Sequence, residues 1–177
     1  IQRMTDFAWA LVGPGAIARR FAAALEGVSG ARLHAVCGRD AGRVEAFIGA
    51  CARPCHAAPV AARSIDDILV DPRVDAVYVA TPQAAHGEAI RRCLEAGKPV
   101  LCEKPIVPNR PQLQSLAALA RARRVFLMEA VWTRYLPVYD RVGAWLREGA
   151  IGALRSLQSS FCVSRPYDPA SRLYDPA

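Results

Sequence analysis

The chain has 177 residues, 53% of them hydrophobic and 22% charged, with a formal net charge of +7. That is enough for one complete domain, or for one domain and part of another, each with a buried core. No apolar run nears the ~20 residues of a spanning helix, no basic-then-apolar signal segment opens the chain, and the arginines are scattered rather than gathered into the stripe of a nucleic-acid binder. The expectation is a cytoplasmic protein without a membrane or nucleic-acid partner. Met4-Thr5-Asp6 reads as a natural start, and the tail past residue 164 has no element to close on, as in a piece of a longer protein.

Residues 7–12 (FAWALV) form a continuous apolar run, as in a strand buried on both faces. Gly13-Pro14-Gly15 turns the chain, and residues 17–25 follow with helical periodicity, Ile17, Phe21, Ala24 and Leu25 sharing a face. A second strand is expected over 33–37 and a second helix over 41–50, with Val44, Phe47 and Ile48 inward. A short third strand falls near Val60, and Ser64-Ile65-Asp66-Asp67 has the form of a capping box with Asp in place of Glu. A fourth strand (76–80), a helix (84–96), a fifth strand (100–102), a helix (109–121, with Leu113, Leu116, Ala117 and Ala120 inward) and a sixth strand (125–128) complete the alternation. Strands alternating with helices at this spacing predict an α/β fold with a parallel, doubly wound sheet.

The pattern then changes. Residues 137–148 read as a longer helix with Val138, Val142, Trp145 and Leu146 on one face, and residues 154–163 alternate like a strand with one buried face. The expected division is a nucleotide-binding domain over 4–128 and the start of a second, α+β domain over 129–177, too little to bury a core alone.

Six cysteines stand at 37, 51, 55, 93, 102 and 162. Cys51-x3-Cys55-His56 misses the haem-attachment spacing by one residue and has no second Cys/His pair, so no metal is expected. The others read as small core residues or free thiols of a reducing compartment.

Four motifs carry chemistry. Gly13-x-Gly15-x-x-Ala18 lies between a strand and a helix, the setting that makes it a dinucleotide fingerprint. The first glycine makes the turn and the second lets backbone approach a pyrophosphate. The small third residue lets helix pack on strand, and the helix start at Ala16 and Ile17 offers free N–H groups. After the second strand comes Gly38-Arg39-Asp40, with Arg39 where NAD sites carry an acidic residue. The guanidinium of Arg39, with Arg43 one turn on, suits a 2′-phosphate and favours NADP over NAD. Asp40 reads as the cap of the following helix. Thr81-Pro82 ends the fourth strand, where ligands bind in open α/β sheets, with His86 opening the next helix. Glu103-Lys104-Pro105 ends the fifth. The chain has 23 basic residues, and all but Lys98 and Lys104 are arginine. Lysine can lose its proton when desolvated and arginine cannot, so Lys104 is the candidate for proton chemistry. Lys98, at a helix end, reads as structural.

As a set, G-x-G-x-x-A, G-R-D, V-A-T-P-x-x-x-H and C-E-K-P resemble the glucose–fructose oxidoreductase/inositol dehydrogenase (Gfo/Idh/MocA) family over about residues 7–164. Met128-Glu129-Ala130-Val131-Trp132-Thr133-Arg134-Tyr135 and Arg172-Leu173-Tyr174-Asp175-Pro176 are similar to the branch of NADP-linked dihydrodiol and D-xylose dehydrogenases. The resemblance implies an NADP-dependent dehydrogenase acting on CH–OH or CH–CH donors of a sugar, polyol or dihydrodiol. It implies that Lys104 contacts the nicotinamide and the reacting oxygen, that Glu103, Thr81, Pro82 and His86 lie at the cofactor, and that Arg39 and Arg43 hold the 2′-phosphate. It implies a second domain with an open, mostly antiparallel sheet, pairing into a homodimer or larger assembly. Trp132 and Phe161 would line the substrate pocket; as residues they read equally well as core aromatics. The family's second proton-transfer residue, a Tyr or His, falls beyond the segment matching Ala177. The residues also allow a non-catalytic NADP-binding sensor or interaction protein.

Overall fold

Six strands form one parallel sheet in the order β3-β2-β1-β4-β5-β6 in the computed structural model, which describes residues 6–51, 58–162, 164 and 166–169. The strands are β1 (Phe7–Val12), β2 (Ala31–Cys37), β3 (Val60–Ala61), β4 (Ala76–Val79), β5 (Val100–Cys102) and β6 (Leu127–Glu129). Between them run α1 (Ala16–Leu25), α2 (Ala41–Cys51), α3 (Ile65–Val70), α4 (His86–Glu95) and α5 (Arg110–Arg123). This is the doubly wound architecture the alternation predicts, with its switch point between β1 and β4.

The pleat sorts the strand side chains into two cores. Ala10, Val12, Ala35, Cys37, Val77, Val79, Val100 and Cys102 face the side covered by α3, α4 and α5. Leu11, Val36 and Tyr78 face the side covered by α1 and α2, with Phe47 fully buried among them. Both faces are covered, which is why the central strands read as unbroken apolar runs. The capping box is present, with Asp66 N–H donating to Ser64 Oγ at 3.1 Å and Ser64 N–H to Asp67 Oδ2 at 3.2 Å.

Several expectations need correction. In α1 the buried residues are Ala18, Ala22 and Leu25, while Ile17 and Ala24 are exposed. The helix is so rich in alanine that periodicity left its docking face open, and close approach to the sheet selected the small residues. In α5, Leu113 is exposed and Leu116 and Ala120 are buried. The helix before β5 starts at His86, after a 3-10 turn at Gln83–Ala85. β6 lies two residues later than expected at its start, and ends on Glu129.

Contacts divide the chain after Val131. The second unit holds a 3-10 turn at Trp132–Tyr135 and α6 (Pro137–Arg147), whose Val138, Val142, Trp145 and Leu146 are all exposed. The strand expected over 154–163 is absent: residues 154–162 carry no regular structure. Alternation supplies a face, but a strand also needs a neighbour for its N–H and C=O groups, and none pairs with it among the described residues. Cys55, His56 and the tail motif at 172–176 lie outside the described residues. No helix among the described residues is long and apolar enough to cross a membrane.

Candidate functional site

The strand ends are level. Val12 pairs in register with Cys37 and Val79, Val79 with Cys102, and Cys102 with Glu129. The ladder runs one residue further: Gly13 N–H donates to Cys37 O (2.9 Å), Ala80 N–H to Val12 O (2.8 Å), Glu103 N–H to Val79 O (2.9 Å) and Ala130 N–H to Cys102 O (2.7 Å). Gly13, Gly38, Thr81, Glu103 and Lys104 are thereby gathered along the carboxyl edge of one sheet.

At the switch point Gly13 has φ +99°, and a Cβ there would sit 2.8 Å from the carbonyl of Ala80 and the nitrogen of Thr81. The turn after β1 thus lies directly on the end of β4, a contact only glycine permits. Gly15 is the opposite case: a Cβ on it would meet nothing within 4 Å. It opens α1 without a side-chain cap, and the first turn of that helix has no acidic residue. The N–H groups of Ala16 and Ile17 stand at this start, where an anion is the natural partner. Gly38 joins the two loops, since a Cβ there would be 2.6 Å from Pro14 Cδ and 3.2 Å from Val44. Sequence reasoning passed over this packing role.

Beyond Gly38, Asp40 caps α2, with Arg43 N–H donating to its Oδ1 at 2.9 Å. Arg39 and Arg43 are exposed, and neither guanidinium makes an ion pair among the described residues. Thr81 carries a buried Oγ1 with no hydrogen-bond partner. It is the buried side-chain polar atom left without a partner among the described residues, at the end of β4 where the Gly13 turn rests.

Three side chains hold the main chain around Lys104. Glu103 Oε2 accepts from Lys104 N–H at 3.2 Å, and Glu129 Oε1 accepts from Ile106 N–H at 2.9 Å. His86 is 2% exposed, its Nδ1 3.0 Å from Pro105 O and its Nε2 2.8 Å from Thr81 O. Both neighbours are carbonyl acceptors, so a neutral ring donates its one N–H to either Pro105 O or Thr81 O, and His86 sits between the β4 loop and the β5 loop. The Lys104–Pro105 bond between them is cis. Lys104 itself is exposed, and Nζ has no ion pair among the described residues. Glu103 Oε1 is taken by the hydroxyl of Tyr78 at 2.7 Å.

Two of these residues escaped the sequence reading. Tyr78 looked like one more apolar strand residue. Glu129 had a signal that was available: a carboxylate at the end of β6, level with the residue before Glu103 on β5. Trp132 and Phe161 lie in the second unit, both exposed. Among the described residues no three His, Cys, Asp or Glu side chains gather as metal ligands.

A parallel sheet of this order, with a glycine turn on its first strand and polar loops on its carboxyl edge, defines the doubly wound class of dinucleotide-binding domains. The chain belongs to the Gfo/Idh/MocA oxidoreductase family with an NAD-binding Rossmann fold, which it matches over residues 7–131. It is 36% identical over 155 residues to human trans-1,2-dihydrobenzene-1,2-diol dehydrogenase, covering 86% of this chain and 45% of the human protein. The protein of that name from Xenopus tropicalis is 34% identical over 157 residues, covering 88% of this chain and 46% of that one. Among solved structures, KijD10, a 3-ketoreductase from Actinomadura kijaniata in complex with NADP, is similar with a TM-score of 0.72 and 35% identity, covering 84% of this chain and 46% of that chain. The chain spans a little under half the length of the relatives it matches.

Proposed function

We propose that this chain is the cofactor-binding part of an NADP-dependent oxidoreductase that transfers a hydride to or from a hydroxyl-bearing carbon of a sugar, polyol or dihydrodiol. The observation that carries the reading is the gathering of an open glycine turn, two unpaired arginines and an unpaired lysine along one sheet edge. NADP bound to the similar ketoreductase supports the cofactor. The residues fit it: Gly15 leaves room for a phosphate, and the Thr81 hydroxyl awaits a partner.

In this reading Gly13 makes the turn, and Gly15, Ala16 and Ile17 present main-chain N–H groups to the pyrophosphate. Arg39 and Arg43 take the 2′-phosphate with charge-assisted hydrogen bonds. Thr81 and Pro82 border the nicotinamide. NADP, when bound, supplies or accepts the hydride. Lys104 Nζ stabilises the alkoxide oxygen of the substrate and moves its proton. His86, Glu103 and Glu129 fix the main chain from which that amine projects. Trp132 and Phe161 are proposed as apolar substrate contacts. The free thiols of Cys37, Cys51, Cys93, Cys102 and Cys162 support a reducing, cytoplasmic setting.

NADPH and NADH titrations followed by nicotinamide fluorescence test the cofactor. NADPH is expected to bind more tightly, and Arg39→Ala to remove most of that preference, about tenfold or more for a lost charge-assisted pair. Equal affinity for both, or for neither, refutes the assignment. Where NADPH oxidation over a panel of ketosugars and diketones shows turnover, Lys104→Met should lower it by about a hundredfold or more with NADPH affinity kept. Near-normal turnover would remove Lys104 from the chemistry, and binding without turnover on any substrate would favour the sensor reading.

A further inference from the structure

Tyr78 is a buried phenol that the proposed chemistry does not use. It is 2% exposed on β4, and the ring of Phe21 on α1 stacks on it at 4.0 Å and 17°. Burial, and then its bond to Glu103, push its pKa well above that of a free phenol. The hydroxyl therefore keeps its proton and acts as the donor to Glu103 Oε1. The other carboxylate oxygen accepts from the main-chain N–H of Lys104.

Glu103 and Lys104 are adjacent residues of opposite charge, and an ion pair between their side chains would compete with the arrangement seen. None is present. A stacked, buried ring cannot follow a moving partner, so its hydroxyl fixes the carboxylate where it is. We propose that Tyr78 is a positioning residue: it holds the Glu103 carboxylate against the main chain and keeps the Lys104 amine unpaired. For its purpose the inference rests on Lys104 as the proton-handling group, but the arrangement can be tested without turnover.

The chain has only two lysines. Lys98 Nζ donates to the carbonyls of Asp71 (2.7 Å) and Val74 (2.9 Å), before β4 and at the amino end of β5, opposite the end that carries Glu103, and serves as an internal reference. The protein is acylated briefly with acetic anhydride at one mildly alkaline pH, and the ratio of Lys104 to Lys98 modification is read by mass spectrometry. Tyr78→Phe frees the carboxylate to swing onto the ammonium, and the ratio should fall about threefold, the scale of an exposed ion pair. Adding Glu103→Gln to Tyr78→Phe should restore it. Glu103→Gln alone should leave the ratio within about twofold of the wild type, because no pair exists there to break. An unchanged ratio in a folded Tyr78→Phe protein, or a fall that Glu103→Gln does not reverse, overturns the proposal. So does a threefold rise in Glu103→Gln alone, which keeps the test decisive should Tyr78→Phe fail to fold. Failure of the Lys104→Met turnover test would sink the proposed chemistry and leave this arrangement standing; the labelling result bears only on the arrangement.

Discussion

Gly13 and Gly15 are two residues apart in one turn, yet the structure assigns their substitutions opposite consequences. In Gly13→Ala the new Cβ would stand 2.8 Å from Ala80 C, Ala80 O and Thr81 N, all main-chain atoms that cannot swing aside. The backbone there has φ +99°, a conformation that costs a side-chain-bearing residue about 1–3 kcal/mol. Forcing β1 and β4 apart adds about 1–3 kcal/mol of overpacking. Together these amount to about 2–6 kcal/mol, a large share of the ~5–15 kcal/mol that holds a typical domain together. Gly15 has φ −98°, which alanine adopts freely, and nothing within 4 Å of its Cβ position. Gly15→Ala should change stability by less than about 1 kcal/mol, because the gain through the unfolded chain is opposed by alanine being a poorer helix N-cap than glycine. The methyl instead fills the space left for a pyrophosphate, so NADPH affinity should fall at least tenfold, about 1.4 kcal/mol. Urea unfolding followed by circular dichroism and NADPH titration of both variants read the two effects separately. A Gly15→Ala protein that binds NADPH like the wild type would refute the glycine turn as phosphate site, and a Gly13→Ala protein of wild-type stability would refute the contact with β4.

Three further outcomes are expected. The guanidinium of Arg73, aided by His34, holds the Asp71 carboxyl well below the usual carboxylate range against the opposing effect of its burial. Its stabilisation is complete above the unfolded value of about 4 and is lost as pH falls through the lower native value; thermal melts of Asp71→Asn should therefore lose less stability below pH ~4 than the wild type, and equal acid slopes would rule this out. Burial pushes the thiol of Cys37 up to about 11 and those of Cys93 and Cys102 up to about 12. In the native protein they should react with a chromogenic disulfide about a hundredfold or more slowly than exposed Cys162, and become accessible on unfolding; comparable native rates would contradict the core assignment. Arg124 ends α5 with φ +53°, a position where glycine carries no steric penalty, so Arg124→Gly should raise stability by about 0.5–1 kcal/mol in the same urea assay.

Much of the site was legible in the residues because each motif closes a strand. A buried parallel strand is an unbroken apolar run, and the residues just after it fall on the carboxyl edge; the places of Gly13, Thr81 and Glu103 could be read this way. Helix faces were less legible. In α1 the stripe through Ile17 and Ala24 and the stripe through Ala18 and Ala22 are both apolar, and only contact with Leu11, Val36 and Tyr78 selected the second. The alternation at 154–163 was a true pattern without a pairing partner among the described residues.

His86 shows where the two levels of information part. Its spacing from Thr81-Pro82 marked it as a site residue, but that spacing could not say what its ring touches. Local order alone determined the doubly wound alternation, the glycine turn, the arginines after β2 and the lone lysine after β5, because each depends on residue type and chain-neighbour geometry. Tertiary structure alone decided that His86 spans two loops, that Tyr78 takes Glu103, and that Glu129 supports Ile106. Apart from the short-range contact of His86 with Thr81, those contacts join residues 19 to 25 positions apart on different strands, loops and helices, and the register of the sheet, which no single segment encodes, brings them within hydrogen-bond distance.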